Sequence, residues 1–422
     1  MLSLGRIWHV PEVRNSLLFV LAMLVVFEIT SHIPVPGVDP SALAALFQGN
    51  QFFGLLNIFS GGTLQNFSVV ALGVAPYITA SIIFQLLGMI VPKFEEMQKE
   101  ESGRQKINQW SRLLTVPLAF LQGYGIILLF QQQQGGSLFL SSDIVTIVQA
   151  ILSMTAGTVF LMWIGELISE KHVGNGISLI IFAGILAGLP TFLGQALAVY
   201  DRSQLITAFV FLVMILVTIV GIVMMNEAQR LVPVQYARQV RGARLSGAVN
   251  SHIPLKLNMG GVIPIIFAIS IILFPTVVAQ FFVDARTAFI RDAAQWVLRA
   301  FQDQLLYGIA YFVLVFAFTY FYTAVVFHPD RVAENLQKQG GFIPGIRPGK
   351  PTAEYLGWVT NRILLVGALF LAIIAILPLL VQQMTGNANL VIGGTSILII
   401  VSVIIESVKQ IEAQLTMRQY DV

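Results

Sequence analysis

The 422-residue chain contains no cysteine, which excludes disulfides and thiolate metal centres. Its five histidines are scattered without ligand spacing, and no metal or other cofactor is expected. Catalytic signatures are missing as well. There is no H-E-x-x-H helix of a metalloprotease and no G-x-S-x-G elbow of a serine hydrolase. The stretch GIRPGKPT at 345–352 resembles a phosphate loop but fails as one: three residues separate its glycines where four are needed, and Pro351 stands where a magnesium-holding hydroxyl belongs. An enzyme is not expected, and the energy for any work must come from outside the chain.

Charge is scarce too. Only 11% of residues are charged, 56% are hydrophobic, and the mean hydropathy is +0.80. A soluble chain of this length does not hide so much apolar surface in one core. The apolar blocks run to about 20 residues, the length a helix needs to cross roughly 30 Å of hydrocarbon, and they lack the alternation of barrel strands. An all-α polytopic membrane protein follows. Ten spans are expected, at 16–35, 74–92, 113–131, 145–168, 178–199, 205–227, 261–282, 307–328, 359–381 and 392–410. The first follows Arg6 and Arg14 without a small-residue cleavage site, so it reads as a retained span.

The basic residues orient these spans. Of 24 Lys and Arg, 20 fall on one set of loops and ends; only Arg202, Arg286, Arg291 and Arg299 fall on the other. The positive-inside rule therefore puts both termini and the loops 93–112, 169–177, 228–260 and 329–358 in the cytoplasm. The two long cytoplasmic loops are basic and broken by Gly and Pro, whereas the exterior loops near 131–143 and 382–391 are short and nearly uncharged. The turn RQVRGARLSG, with Arg238, Arg241 and Arg244, serves either as a topology signal or as an electrostatic platform for an acidic partner or RNA phosphates.

Carboxylates within the spans are few: Glu28, Glu166, Glu227 and Glu406. The last three lie near cytoplasmic ends, and only Glu28 is placed deeper. A proton relay is not supported. A secondary transporter of a small solute, the alternative reading, would need a polar pocket at mid-membrane.

Residues 57–73, NIFSGGTLQNFSVVALG, are too polar for the middle of a span and too apolar for a surface loop. Gly61 and Gly62 weaken a helix, Gln65 and Asn66 bring amides that lipid does not tolerate, and Gly73 and Pro76 mark a break before the next span. Such backbone survives at membrane depth only when it is shielded by protein or faces a water-filled cavity. A re-entrant half-helix, and with it a cavity, is expected.

Six stretches carry a resemblance: NIFSGGTLQNFSVVALGVAPYITASIIFQLL at 57–87, GNGISLIIFAGI at 174–185, VPVQYARQV at 232–240, KLNMGGVIPIIFA at 256–268, YTAVVFHPDRVAENLQKQGGFIPGIRPG at 322–349 and GGTSILIIVSVIIE at 393–406. In order and spacing they resemble the SecY/Sec61-alpha family, channel subunits of the Sec protein translocon. The resemblance implies ten helices in two pseudo-symmetric inverted halves, 1–200 and 201–422, around a central pore. It implies a channel in the bacterial inner membrane that passes unfolded polypeptides across and releases transmembrane segments sideways into lipid.

The same resemblance assigns residues. Within 57–73 it implies a plug formed by Phe59, Ser60, Gly61, Gly62, Leu64, Asn66 and Phe67. An aliphatic pore ring falls on Val74, Ile78, Ile177, Ile181, Ile266 and Ile399. A lateral gate falls on Thr79, Ile82 and Gln85 facing Phe274, with bends from Pro264 and Pro275. Gln85 in an apolar run also reads as interhelical glue. Arg238, Arg241, Arg244 and Arg347 fall on the docking surface for the SecA ATPase and for the ribosome with its rRNA. Further implied partners are the SecE and SecG subunits, signal peptides, unfolded preproteins and membrane lipid. One departure is Glu28 and Thr30, where family members often carry Arg near HIPVPG; it leaves the partner of Glu28 open, with SecE one possibility.

Overall fold

The computed structural model describes residues 10–38, 63–64, 66–134, 143–198, 205–236, 240–241, 244–245, 250–283, 285–385 and 394–419. Thirteen helices and five strands occur among them. The first half holds α1 (Pro11–Ser31), α2 (Ala75–Ile90), α3 (Pro92–Lys99), α4 (Glu101–Gln134), α5 (Ile144–Ser169) and α6 (Gly176–Ala198). The second half holds α7 (Leu205–Glu227), β1 (Gln229–Tyr236), β2 (Val240–Arg241), β3 (Arg244–Leu245), β4 (Asn250–Lys256), α8 (Ile263–Gln280), α9 (Ala288–Gln302), α10 (Gln304–Val326), α11 (Pro329–Lys338), β5 (Gly341–Phe342), α12 (Lys350–Thr385) and α13 (Gly394–Gln419).

A helix lies over each of the ten expected blocks. Six helices among the described residues are long and apolar enough to cross a membrane, or seven if the pair α2 and α3, bent by 111°, is one span. The described apolar parts of α6 and α7 are shorter, Gly176–Pro190 and Leu212–Glu227. Three buried hydroxyls inside these helices illustrate bonding to their own backbone. Thr115 Oγ1 donates to the Ser111 carbonyl at 2.7 Å, Thr319 to Val315 at 2.7 Å and Ser270 to Ile266 at 3.0 Å. Each group thus finds a partner without water, as hydrocarbon requires.

Two helices are longer than a bilayer is thick. At 1.5 Å per residue, α4 and α12 reach about 50 Å, so one end of each stands outside. The protruding start of α12 packs on a small sheet. Strand β1 pairs antiparallel with β4 along its length and with β5 at Gln235–Phe342 and Tyr236–Gly341. The two loops read from the sequence as separate therefore fold together, around Val232, Val234, Leu255, Leu336, Ile343, Leu356 and Val359.

Eight of the helices close into a ring, with α1 and α7 packed outside it. Contacts run from α2 to α4, α5, α6, α13, α12, α10 and α8, and from α8 back to α2. The halves of the chain meet on one side through α2 and α4 against α8, and on the other through α6 and α1 against α13. Of the six single-helix candidate spans, α8 is the most enclosed and α1 the least.

Candidate functional site

The seam between α2 and α8 begins with the segment before α2. Phe59, Ser60, Gly61, Gly62 and Gln65 lie outside the described residues. Residues 63–64 and 66–73, expected to be the end of a half-helix, run instead as turns, broken by a bridge from Ser68 to Pro34. The physical reason is local. Phe67 (φ 43°) and Gly73 (φ 57°) are left-handed, which a right-handed helix does not allow. The Thr63 hydroxyl donates to the Val70 carbonyl at 2.8 Å, and the Ser68 hydroxyl to that of Thr63 at 3.3 Å. Backbone bonds from Val35 to Phe67 (3.0 Å) and from Val69 to Ile33 (2.9 Å) tie the segment to the chain after α1.

This segment is packed, not loose. Leu64, Phe67, Ala71 and Leu72 share a buried cluster with Ile127 and Phe130 of α4 and Ile151 and Met154 of α5. Phe67 meets Phe130 edge to face at 5.6 Å. Asn66 is exposed beside them.

From Val74, the N-cap of α2, the chain enters a larger cluster. Val74, Ile78, Ile181, Ile266 and Ile399 all belong to it, each no more than 5% exposed, and half-buried Ile177 packs against it. Four helices, α2, α6, α8 and α13, bring these side chains into one apolar body. The six named side chains are all aliphatic, and aliphatic carbon offers water no hydrogen bond.

Of the expected gate residues, Ile82 belongs to the same cluster. Ile82 is buried, Thr79 is 9% exposed and bonds the Ala75 carbonyl at 3.0 Å, and Phe274 is 39% exposed. Gln85 corrects the interhelical expectation. Its Nε2 donates to Ser81 on its own helix at 3.1 Å, while its buried Oε1 has no partner among the described residues. A glutamine four residues after a serine satisfies one end locally and needs no neighbouring helix. Pro264 sits in the first turn of α8, where its missing N–H is not needed, while Pro275 is internal.

At the other junction a polar contact joins the halves beside the apolar one. Gln414 of α13 donates to the carbonyls of His172 (2.9 Å) and Lys171 (3.2 Å) in the turn between α5 and α6. Near the sheet, Asn226 of α7 donates to Ser402 of α13 at 2.9 Å, and Asn258, just before α8, donates to Asn226 at 2.8 Å. This network was not expected; an amide at the end of the apolar run of α7 is its visible trace. Two of the span carboxylates are paired within their own halves, Glu166 of α5 with Arg112 of α4 at 2.5 Å and Glu227 of α7 with Lys409 of α13 at 2.7 Å. Glu28 lies in the last turn of α1, not deep in it. Its Oε1 is 3.6 Å from His32 Nδ1, which supplies a partner from its own chain.

On the sheet side, Arg347 is exposed between two left-handed glycines, Gly345 (φ 82°) and Gly349 (φ 96°), and its carbonyl accepts from Thr352 at 2.8 Å. Arg241 and Arg244 are opposite one another in the β2–β3 ladder. Arg238 lies outside the described residues.

The profile of the SecY family matches residues 68–408. The protein translocase subunit SecY of Bacillus licheniformis is 43% identical, with 99% of this chain and 98% of that protein covered. That of Bacillus subtilis is 42% identical over the same shares. A solved structure described as a protein conducting channel shares the fold, with a TM-score of 0.63 at 17% identity, covering 94% of this chain and 91% of its own. Another, of a SecY protein whose plug domain is described as stabilising the closed state and maintaining a membrane seal, has a TM-score of 0.63 at 18% identity and the same coverage.

Proposed function

The chain belongs to the SecY family, and from that premise we propose that it is the protein-conducting channel subunit of a bacterial Sec translocon. It passes unfolded secretory polypeptides across the inner membrane and releases apolar segments into lipid. Ten helices cross the membrane in two halves, 1–200 and 201–422, with the termini and the sheet in the cytoplasm. The observation that carries this reading is the convergence of Val74, Ile78, Ile181, Ile266 and Ile399 from four helices of both halves into one buried cluster, with Ile177 against it.

That cluster acts as the closed neck. A bare aliphatic ring excludes ions by dewetting and makes no specific bond to a passing chain, so it can seal around any sequence. The halves part at α2 and α8, whose side chains in the shared cluster are apolar; on α2, Gln85 Oε1 has no partner among the described residues. The α6–α13 junction, held by Gln414, serves as the hinge. Residues 57–73 supply the plug.

The channel has no nucleotide chemistry of its own. SecA or a translating ribosome drives the chain from the cytoplasm, docking on Arg347 and on the basic loop that carries Arg238, Arg241 and Arg244; SecE and SecG complete the complex. The test is reconstitution of the chain with SecE and SecG in vesicles, with SecA, ATP and a preprotein outside. Protease-protected preprotein within the vesicles is expected. Vesicles that protect none, with the complex intact, would overturn the proposal.

A further inference from the structure

Three basic residues escape the account so far. Arg286, Arg291 and Arg299 break the charge bias of the spans, and all three lie on or just before α9, at the end of α8 and α10 remote from the sheet. A translocated chain passing a neutral funnel does not need them there.

The helix is amphipathic in a particular way. Ala294 is buried, and Phe301, seven residues on, packs against the main core, so this stripe docks α9 on the bundle. Beside it stand Phe289 and Trp296, again seven apart, 81% and 69% exposed. Arg291, Gln295 and Arg299 follow at intervals of four and form the polar face. Arg291 has Asp292 at 3.7 Å, and Arg299 donates weakly to Gln295 at 3.4 Å; Arg286 is exposed. One face is thus committed to protein, one is bare and aromatic, and one is cationic.

Its height relative to the membrane follows from its neighbours. Both α8 and α10 are candidate spans, and α9 joins their ends. Only Asp303 separates α9 from α10. Its carboxylate caps α10 by accepting from the backbone N–H of Leu305 (2.9 Å) and Leu306 (3.3 Å). Leu305 and Leu306 are themselves 64% and 45% exposed, so lipid-facing surface begins within one turn of the end of α9.

We propose that α9 lies in the headgroup layer of the bilayer leaflet remote from the sheet, with Phe289 and Trp296 in the acyl boundary and Arg286, Arg291 and Arg299 on phosphates of anionic lipid. Charge complementarity selects anionic lipid over zwitterionic lipid, and an exposed Trp and Phe beside a basic face is what an interfacial helix presents. Because α9 packs on α8, the lipid layer then holds one end of a seam helix. This inference does not rest on the channel reading and is tested without translocation.

The absence of native cysteine makes each introduced thiol unique. Single variants Phe289→Cys, Trp296→Cys and Gln295→Cys of the full chain are nitroxide-labelled and reconstituted in phosphatidylcholine vesicles with or without phosphatidylglycerol. Collision with oxygen and with a water-soluble nickel chelate is measured by electron paramagnetic resonance. Labels at 289 and 296 are expected to favour oxygen severalfold over the label at 295, and more strongly when phosphatidylglycerol is present. The increment with phosphatidylglycerol should vanish when Arg286, Arg291 and Arg299 are all changed to Gln. Equal nickel access at all three sites places α9 in water and overturns the proposal. Shielding of 289 and 296 from both probes assigns the face to a protein partner and does the same. Deep labels with no response to phosphatidylglycerol, or a response that survives in the triple variant, refute the anionic-lipid assignment.

Discussion

Gly157 of α5 and Val69 touch backbone to backbone: a side-chain carbon on Gly157 would overlap the Val69 carbonyl oxygen. The segment leading into α2 is thus laid directly on a helix of the first half, held by Phe67 on one flank and by Thr63 and Ser68 within its own turns. Opening that moves residues 63–64 and 66–73 must break these contacts.

Gly157→Ala is therefore expected to destabilise the protein. Within a helix Ala is ordinarily better than Gly by about 0.5–1 kcal/mol, but here the overlap forces the segment away at a cost of about 1–3 kcal/mol. Phe67→Ala, which empties a fully buried site, should lose about 3–5 kcal/mol. Thermal unfolding of the purified complex measures both. A Gly157→Ala protein more stable than the parent would show that 63–73 does not rest on α5.

The amide network is expected to act as a unit. Asn226→Ala and Asn258→Ala should each lose about 1–3 kcal/mol by stranding a buried partner, and the double variant should lose less than the sum. A double-mutant cycle by chemical denaturation supplies the coupling. Strict additivity would mean that Asn258 is held by Gly261 alone, to whose carbonyl it also donates at 3.1 Å.

Arg347→Glu reverses charge on an exposed turn without touching a span. SecA-driven export should fall by at least tenfold, while membrane insertion and thermal stability stay unchanged. Export at the parental rate would reduce Arg347 to a topology charge.

The helices were legible because long apolar blocks have a single solution in lipid. The strands were not. LVPVQY at 231–236 does alternate, with Val232 and Val234 buried, but Pro233 argues against a strand, and pairing with β5 from a loop a hundred residues away leaves no local mark. Turns at 63–64 and 66–73 were hidden for another reason, since nothing in a lone phenylalanine announces a left-handed backbone at Phe67. The ring residues carried no periodic signal either. Helices that are apolar all round, as in α2 and α8, give no face to read, and only the resemblance placed Ile78 or Ile266.

That placement is the central claim, and ion flux through reconstituted vesicles tests it most directly. If the neck seals by dewetting, apolar character and volume matter and identity does not. Ile78→Leu and Ile266→Val should leave resting conductance at the parental level. Ile266→Asn and Ile399→Asn should raise it at least tenfold, and should also admit preproteins with defective signal sequences, because a weakened closed state leaves less for the signal peptide to overcome. Equal conductance across all four variants would contradict the account and remove these residues from the pore.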